Sequence, residues 1–141
     1  MEGNFIQVYI HFVWSTKNRS RVLGKSFRAD LFQYIKKNSK EKNIHIDSIN
    51  GVEDHVHCMV SLNATQTMAD IMKSIKGASS KWLNDSKLME DHFQWQDGYG
   101  AFAVSPQNIV KARNYIFNQE EHHKNNSYDD ELSKFQMFKD A

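Results

Sequence analysis

The stretch Ile44-His45-Ile46-Asp47-Ser48-Ile49-Asn50-Gly51-Val52-Glu53-Asp54-His55-Val56-His57-Cys58-Met59-Val60-Ser61-Leu62 decides the fold. Two strand-like runs, 44–49 and 52–62, flank Asn50-Gly51, a dipeptide that enters the positive-φ region cheaply and so favours a tight hairpin turn. Side chains alternate across a strand, so Val56, Cys58, Val60 and Leu62 share one face and His55 and His57 the other. An apolar face therefore anchors a face carrying two imidazoles.

Upstream, residues 5–14 are rich in β-branched and aromatic types, with Ile6, Val8, Ile10, Phe12 and Trp14 on one face and Gln7, Tyr9, His11 and Val13 on the other. A basic polar loop, 15–25, leads to Phe27, Leu31, Tyr34 and Ile35 at helical spacing, with Ser26 as N-cap and an end near Asn43. Downstream, Thr67-Met68-Ala69-Asp70 resembles a capping box with Asp in place of Glu. It opens a helix that turns Met68, Ile71, Met72, Ile75 and Trp82 inward. Residues 93–96 and 99–104, broken at Asp97-Gly98, read as one or two further strands. Ser105-Pro106 then supplies an N-cap and a first-turn proline for a helix reaching about His123. The spacing predicts one domain over 1–124 and a polar tail over 125–141. That tail either forms a short amphipathic helix through Leu132, Phe135 and Phe138 or is partly mobile.

The order β-α-β-β-α-β plus a last helix is the split βαβ, an α+β ferredoxin-like antiparallel sheet with helices on one face and an additional C-terminal helix. The apolar set of the second hairpin strand faces the helices. His55 and His57 are then expected on the open face, with His11 beside them.

The last helix brings a second constellation. Four residues turn an α-helix by about 400°, so Tyr115 and Gln119 are neighbours and His122 continues the stripe. Ile109, Ala112 and Ile116 form the adjoining packing face. Laid across the open sheet face, this helix would bring a phenol and an amide oxygen to the two imidazoles. Two histidines and a carbonyl oxygen can hold a divalent cation, with water or phosphate oxygens completing the shell, and a cation so placed is a Lewis acid for a phosphodiester.

Composition narrows the classes. With 141 residues, 40% hydrophobic and 12% aromatic, the chain can bury a core and is not of the disordered type. Eighteen basic against 17 acidic residues leave no strong global field, so any nucleic-acid affinity rests on local patches. The single cysteine, Cys58, can form no internal disulfide and lies on the apolar face, as suits a reducing cytoplasm. No apolar run of about 18 residues and no basic signal-peptide flank occur, so the expectation is a cytoplasmic protein without a membrane partner.

Several stretches together resemble the single-tyrosine HUH transposases, insertion-sequence enzymes acting on single-stranded DNA, and their relatives associated with repetitive extragenic palindromes. They are Val13-Trp14-Ser15-Thr16-Lys17-Asn18-Arg19, Asp54-His55-Val56-His57, Ile75-Lys76-Gly77, Trp95-Gln96-Asp97-Gly98-Tyr99-Gly100-Ala101-Phe102, and Ser105-Pro106 through Tyr115-Ile116-Phe117-Asn118-Gln119 to Lys124. The resemblance covers most of the chain. It implies that His55 and His57 bind Mg²⁺ or Mn²⁺, that Gln119 completes the protein ligands, and that Tyr115 is the nucleophile forming a 5′-phosphotyrosine link. His11 and His122 are possible supporting residues. The implied substrate is single-stranded DNA with hairpin ends. Lys17, Arg19, Arg21, Lys25, Lys73, Lys76 and Lys81 are candidates for phosphate contacts, and Trp95 or Tyr99 for stacking on an unpaired base.

One tyrosine per chain and two DNA ends per excision favour a homodimer, and the resemblance implies composite sites in which one subunit's tyrosine serves the other's histidines. Two other readings stay open: a domesticated or rolling-circle-type HUH endonuclease, and a non-catalytic ferredoxin-like nucleic-acid binder.

Overall fold

A strand of alternating faces organises the molecule, which is described by a computed structural model covering residues 3–125 and 127–140. Strand β1 (Val8–Ser15) lies between β3 (His55–Leu62) and β4 (Gly100–Val104), and β2 (His45–Gly51) closes the far side of β3. The order β2-β3-β1-β4 with every pairing antiparallel is the α+β ferredoxin-like sheet predicted from the element order. Strand β1 begins at Val8 rather than at residue 5, because its partner β3 ends at Leu62, opposite Val8. Phe5 and Ile6, left without that partner, are exposed.

The hairpin differs from a two-residue Asn-Gly turn. Asn50 and Gly51 are still paired, with His57 and Val56, and the reversal is made by residues 52–54, closed by Val52 N–H donating to the His55 carbonyl at 3.0 Å. Gly51 is required there by space: a Cβ would stand 2.5 Å from the His55 carbonyl oxygen. Asn50 acts through its side chain instead, donating to the Phe117 carbonyl at 3.0 Å.

Helix α1 (Lys25–Glu41) starts from Gly24, whose carbonyl accepts from Phe27 and Arg28 N–H. Ser26 is therefore inside the first turn and does not cap it. Helix α2 (Met68–Ser86) is capped as predicted, the Thr67 hydroxyl oxygen accepting from Asp70 N–H at 3.1 Å. Ile71, Met72, Ile75 and Leu83 are buried; Met68 is exposed, and Trp82 stacks on Tyr34 of α1. These two helices cover one sheet face, where Ile10, Phe12, Trp14, Val56, Cys58 and Val60 meet Leu31, Ile35 and the α2 residues in one apolar core. Burying Cys58 there pushes its thiol pKa upward, which keeps it an unreactive packing residue.

Residues 93–96 form no strand of their own: a single bridge joins Trp95 to Thr16. The helix predicted from Pro106 to about His123 is divided. A 3₁₀ turn (Pro106–Asn108) leads into α3 (Ile109–Phe117), and Asn118, outside helical geometry at φ −97° and ψ 26°, separates it from α4 (Gln119–Asn125). Ser105 makes no capping bond to the backbone; its hydroxyl accepts from the Asn108 side chain.

After residue 126 the chain forms α5 (Tyr128–Asp140), opened by a reciprocal cap in which Ser127 Oγ accepts from Asp130 N–H and the Asp130 carboxylate accepts from Ser127 N–H. Leu132 is partly buried, and the side chains of Phe135 and Phe138 lie outside the described residues. The second sheet face, expected to be open, is covered by residues of α3, α4 and α5, and His55 and His57 are both 0% exposed. Among the described residues no helix is long and apolar enough to cross a membrane.

Candidate metal centre and nucleophile

Register puts five side chains of two strands on the covered face. Ser15 lies opposite His55 and Val13 opposite His57, with His11 one step along. His55 and His57 therefore present their rings side by side, with centroids 5.3 Å apart.

Each imidazole is held from behind through Nδ1. His55 Nδ1 lies 2.7 Å from the carboxylate of Asp54, and His57 Nδ1 lies 2.8 Å from Nε2 of the buried His11. With Nδ1 engaged from behind, each Nε2 points forward, and Nε2 is the atom such a ring offers to a metal. Burial works against a charge on His55, yet the carboxylates of Asp54 and Glu131 outweigh it and raise its pKa to about 9. In His57 burial prevails and lowers the pKa. Burial and the neighbouring His57 bring His11 down to about 3, so it stays neutral.

Helix α3 is fixed over this face by two anchors at β2. Arg113 grips Asp47, the residue where the β2–β3 register shifts between Ile46 and Ser48, and Asn50 holds the Phe117 carbonyl. Ile116, 0% exposed, packs beneath. Helix α4 is tied by the Arg28 guanidinium, which donates to Glu120 at 3.1 Å while its other arm meets the Leu23 carbonyl.

Between these anchors Tyr115 lies 5.7 Å from His57 and 6.2 Å from His11, ring to ring, and stacks on His122 at 4.3 Å. A single chain thus brings its own tyrosine to its own histidines. Gln119 is fully buried; its Nε2 donates to the Tyr115 carbonyl at 3.4 Å, and its Oε1 has no hydrogen-bond partner among the described residues.

The residue that sequence reasoning missed is Glu131 of α5. It is 1% exposed, and its Oε2 lies 2.6 Å from His57 Nε2 and 3.5 Å from His55 Nε2. Ligand atoms of His55, His57 and Glu131 fall within 4.8 Å of one another, the compactness a divalent cation needs. Two imidazole nitrogens, a carboxylate and a partnerless amide oxygen are a fitting donor set for a divalent ion. Tyr128, three residues earlier on the same helical face, brings its ring 4.9 Å from His55. A signal did exist: Ser127-x-x-Asp130 followed by an acidic first turn is a helix start, overlooked because the stretch is polar.

Glu131 also acts on Tyr115. Burial first, and then the Glu131 carboxylate that the Tyr115 hydroxyl bonds to, raise the phenol's pKa, while a bond from Gln119 opposes them. In this arrangement Tyr115 is a neutral phenol.

The basic candidates are dispersed. Arg19 pairs with Asp129 of α5, Lys25 stands 3.8 Å from Glu120, and Lys81 pairs with Asp85. Lys76 donates to the carbonyls of Gln96 and Gly98, bracing the loop before β4. Arg21 and Lys73 are exposed. Lys17, Lys76 and Lys81 nevertheless line one cleft of about 420 Å³ together with Trp95. The Trp95 indole itself is buried between Trp14 and Phe93 and donates to Ser79 Oγ at 2.9 Å, so it packs the core and offers no stacking platform. Tyr99 is the accessible ring of the pair, 40% exposed.

Residues 4–119 match the family model described as "Transposase IS200 like". The ISDra2 transposase TnpA of Deinococcus radiodurans is 25% identical over 122 residues, which span 83% of this chain and 87% of that protein. A crystal structure from the same species, assigned as a transposase, superposes with a TM-score of 0.67 at 21% identity, covering 84% of this chain and 95% of that one. The REP-associated tyrosine transposase bound to a REP hairpin superposes with a TM-score of 0.63 at 17% identity, over 87% of this chain and 73% of that one.

Proposed function

The chain belongs to the IS200-like transposase family, and from that premise we propose that it binds hairpin ends of single-stranded DNA and cleaves and rejoins strands through a 5′-phosphotyrosine intermediate on Tyr115. The observation that carries this reading is the convergence of Tyr115, His57 and a fully buried Gln119 on one sheet face within one chain. A non-catalytic binder has no use for a phenol placed beside paired imidazoles.

In this reading His55, His57 and Gln119 hold a Mg²⁺ or Mn²⁺ ion, which supplies Lewis-acid polarisation of the scissile phosphate when bound. The residues of the chain do the rest. Asp54 and His11 orient the two ligand rings through Nδ1, so that each Nε2 faces the Glu131 carboxylate. Helix α3 aims the Tyr115 oxygen. Its bond to phosphorus forms as the bond to the 3′ oxygen breaks, and the proton the phenol loses balances the one the departing 3′-hydroxyl gains. The covalent link conserves the phosphodiester, so a 3′-hydroxyl from another strand can reverse the step without an energy source. Burial of the site keeps water from competing for that bond.

Two DNA ends and one tyrosine per chain make a homodimer the economical assembly. Strand β4 stands at one end of the sheet, and its outer edge pairs with no described strand. The exposed Lys17, Lys73 and Arg21 supply sequence-independent phosphate contacts, and affinity should fall steeply with salt.

Incubation with single-stranded hairpin DNA carrying the cognate ends and Mn²⁺ should give a protein–DNA adduct that survives denaturation and disappears in Tyr115→Phe. Absence of any adduct with those ends overturns the enzymatic reading.

A further inference from the structure

We infer that Glu131 is an anionic protein ligand of the same metal ion, delivered by α5, so that the DNA-free protein holds its cation with His55, His57 and a carboxylate. The inference rests on the reading of the histidine pair as a metal centre.

Geometry carries it. A carboxylate 1% exposed touches both forward-facing Nε2 atoms, at 2.6 and 3.5 Å, and the ligand atoms of His55, His57 and Glu131 fit within 4.8 Å. The contact is built into the fold by four features of the same helix. Ser127 and Asp130 cap its start, Tyr128 lies against His55, Asp129 pairs with Arg19, and Glu131 follows Tyr128 by one turn on the inward face.

Charge gives the reason. Mg²⁺ and Mn²⁺ favour oxygen donors, and two neutral imidazoles with an amide oxygen supply no negative charge to a dication taken out of water. A buried uncompensated charge is costly. Glu131 supplies one negative charge from the front, and Asp54 supplies a second from behind His55 through Nδ1. The two together match the ion.

Titrating Mn²⁺ into the full-length, DNA-free protein and following it by calorimetry and by loss of the free-ion electron paramagnetic resonance signal tests this. The wild type should bind one Mn²⁺ per chain, His57→Ala should abolish binding, and Glu131→Ala should weaken it tenfold or more, with the near-isosteric Glu131→Gln also weakened. Asp129→Ala, which loosens α5 through Arg19 but leaves the carboxylate of Glu131, should stay close to wild type. Wild-type affinity in both Glu131 variants, with His57→Ala inactive in binding, overturns the role of Glu131 and leaves the histidine centre standing. An equal loss in Asp129→Ala also overturns it, since helix docking would then account for the effect. Failure of the wild type to bind Mn²⁺ overturns the metal centre itself, and Glu131's role with it.

Discussion

The guanidinium of Arg113 grips both carboxylate oxygens of Asp47, with Nε 3.0 Å from Oδ1 and Nη2 2.8 Å from Oδ2. Arg113 stands two residues before Tyr115, so this fork sets the pitch and rotation of the helix that aims the phenol. Arg113→Lys keeps the charge but loses the paired geometry. The expected outcome is a fall in single-turnover strand cleavage on the order of tenfold or more, because small misplacements of a reacting group are costly. Hairpin affinity should be little changed. An unaltered cleavage rate would remove the fork from the positioning of Tyr115.

The same pair has an acid signature. The hydrogen bond from Arg113 holds the Asp47 carboxyl below its ordinary range. A carboxylate whose folded pKa is depressed adds stability that is fully present above its unfolded value near 3.8 and is lost as pH falls through the lower folded value. Thermal unfolding of wild type and Asp47→Asn, measured from neutrality down through about pH 3, should show the two curves converging at the acid end.

Two aromatic residues offered as stacking platforms should separate cleanly. Trp95, buried between Trp14 and Phe93, is predicted to cost about 3–5 kcal/mol of stability as Trp95→Ala. Tyr99→Ala should leave the melting temperature within a few degrees of wild type. If Tyr99 stacks on an unpaired base, its loss lowers single-stranded DNA affinity by about 1–3 kcal/mol. Equal affinity in Tyr99→Ala and wild type would take that ring out of the DNA interface.

Subunit exchange decides which chain's tyrosine serves which histidines. Each chain already places Tyr115 beside its own His57. His57→Ala and Tyr115→Phe proteins should each be inactive alone. Recovery of the covalent adduct on mixing shows composite sites in an assembly of at least two chains. No recovery, with subunit exchange demonstrated separately, confines the chemistry to one chain.

The ferredoxin-like order was legible because its signals are local: alternation in β1 and β3, the Thr67 cap, and Pro106 at a helix start. The approach of Tyr115 to His57 was legible for the same reason, since two periodicities, 2 and 3.6, each placed their residues on one face. What escaped depends on contacts between segments far apart. The turn moved from Asn50-Gly51 to residues 52–54 because Gly51 is needed against the His55 carbonyl rather than at a reversal. Trp95 reads as a strand residue able to stack on a base, and only the Thr16 bridge and Ser79 explain its burial. Glu131 lies 74 positions after His57, in a stretch whose polarity conceals that one helical face turns inward.

The three-residue reversal at 52–54 has a consequence for how this protein can change. Strand β3 sends odd-numbered residues to the face covered by α3–α5 and even-numbered ones to the core, so the whole division between the two faces rests on parity. Losing or gaining one residue in the reversal, with pairing to β1 and β2 otherwise restored in length, would present Val56 and Cys58 to the covered face and drive two imidazoles among Phe12, Trp14 and Ile75. Insertions elsewhere on the surface can be absorbed by loops. Here only a change of two residues preserves the frame.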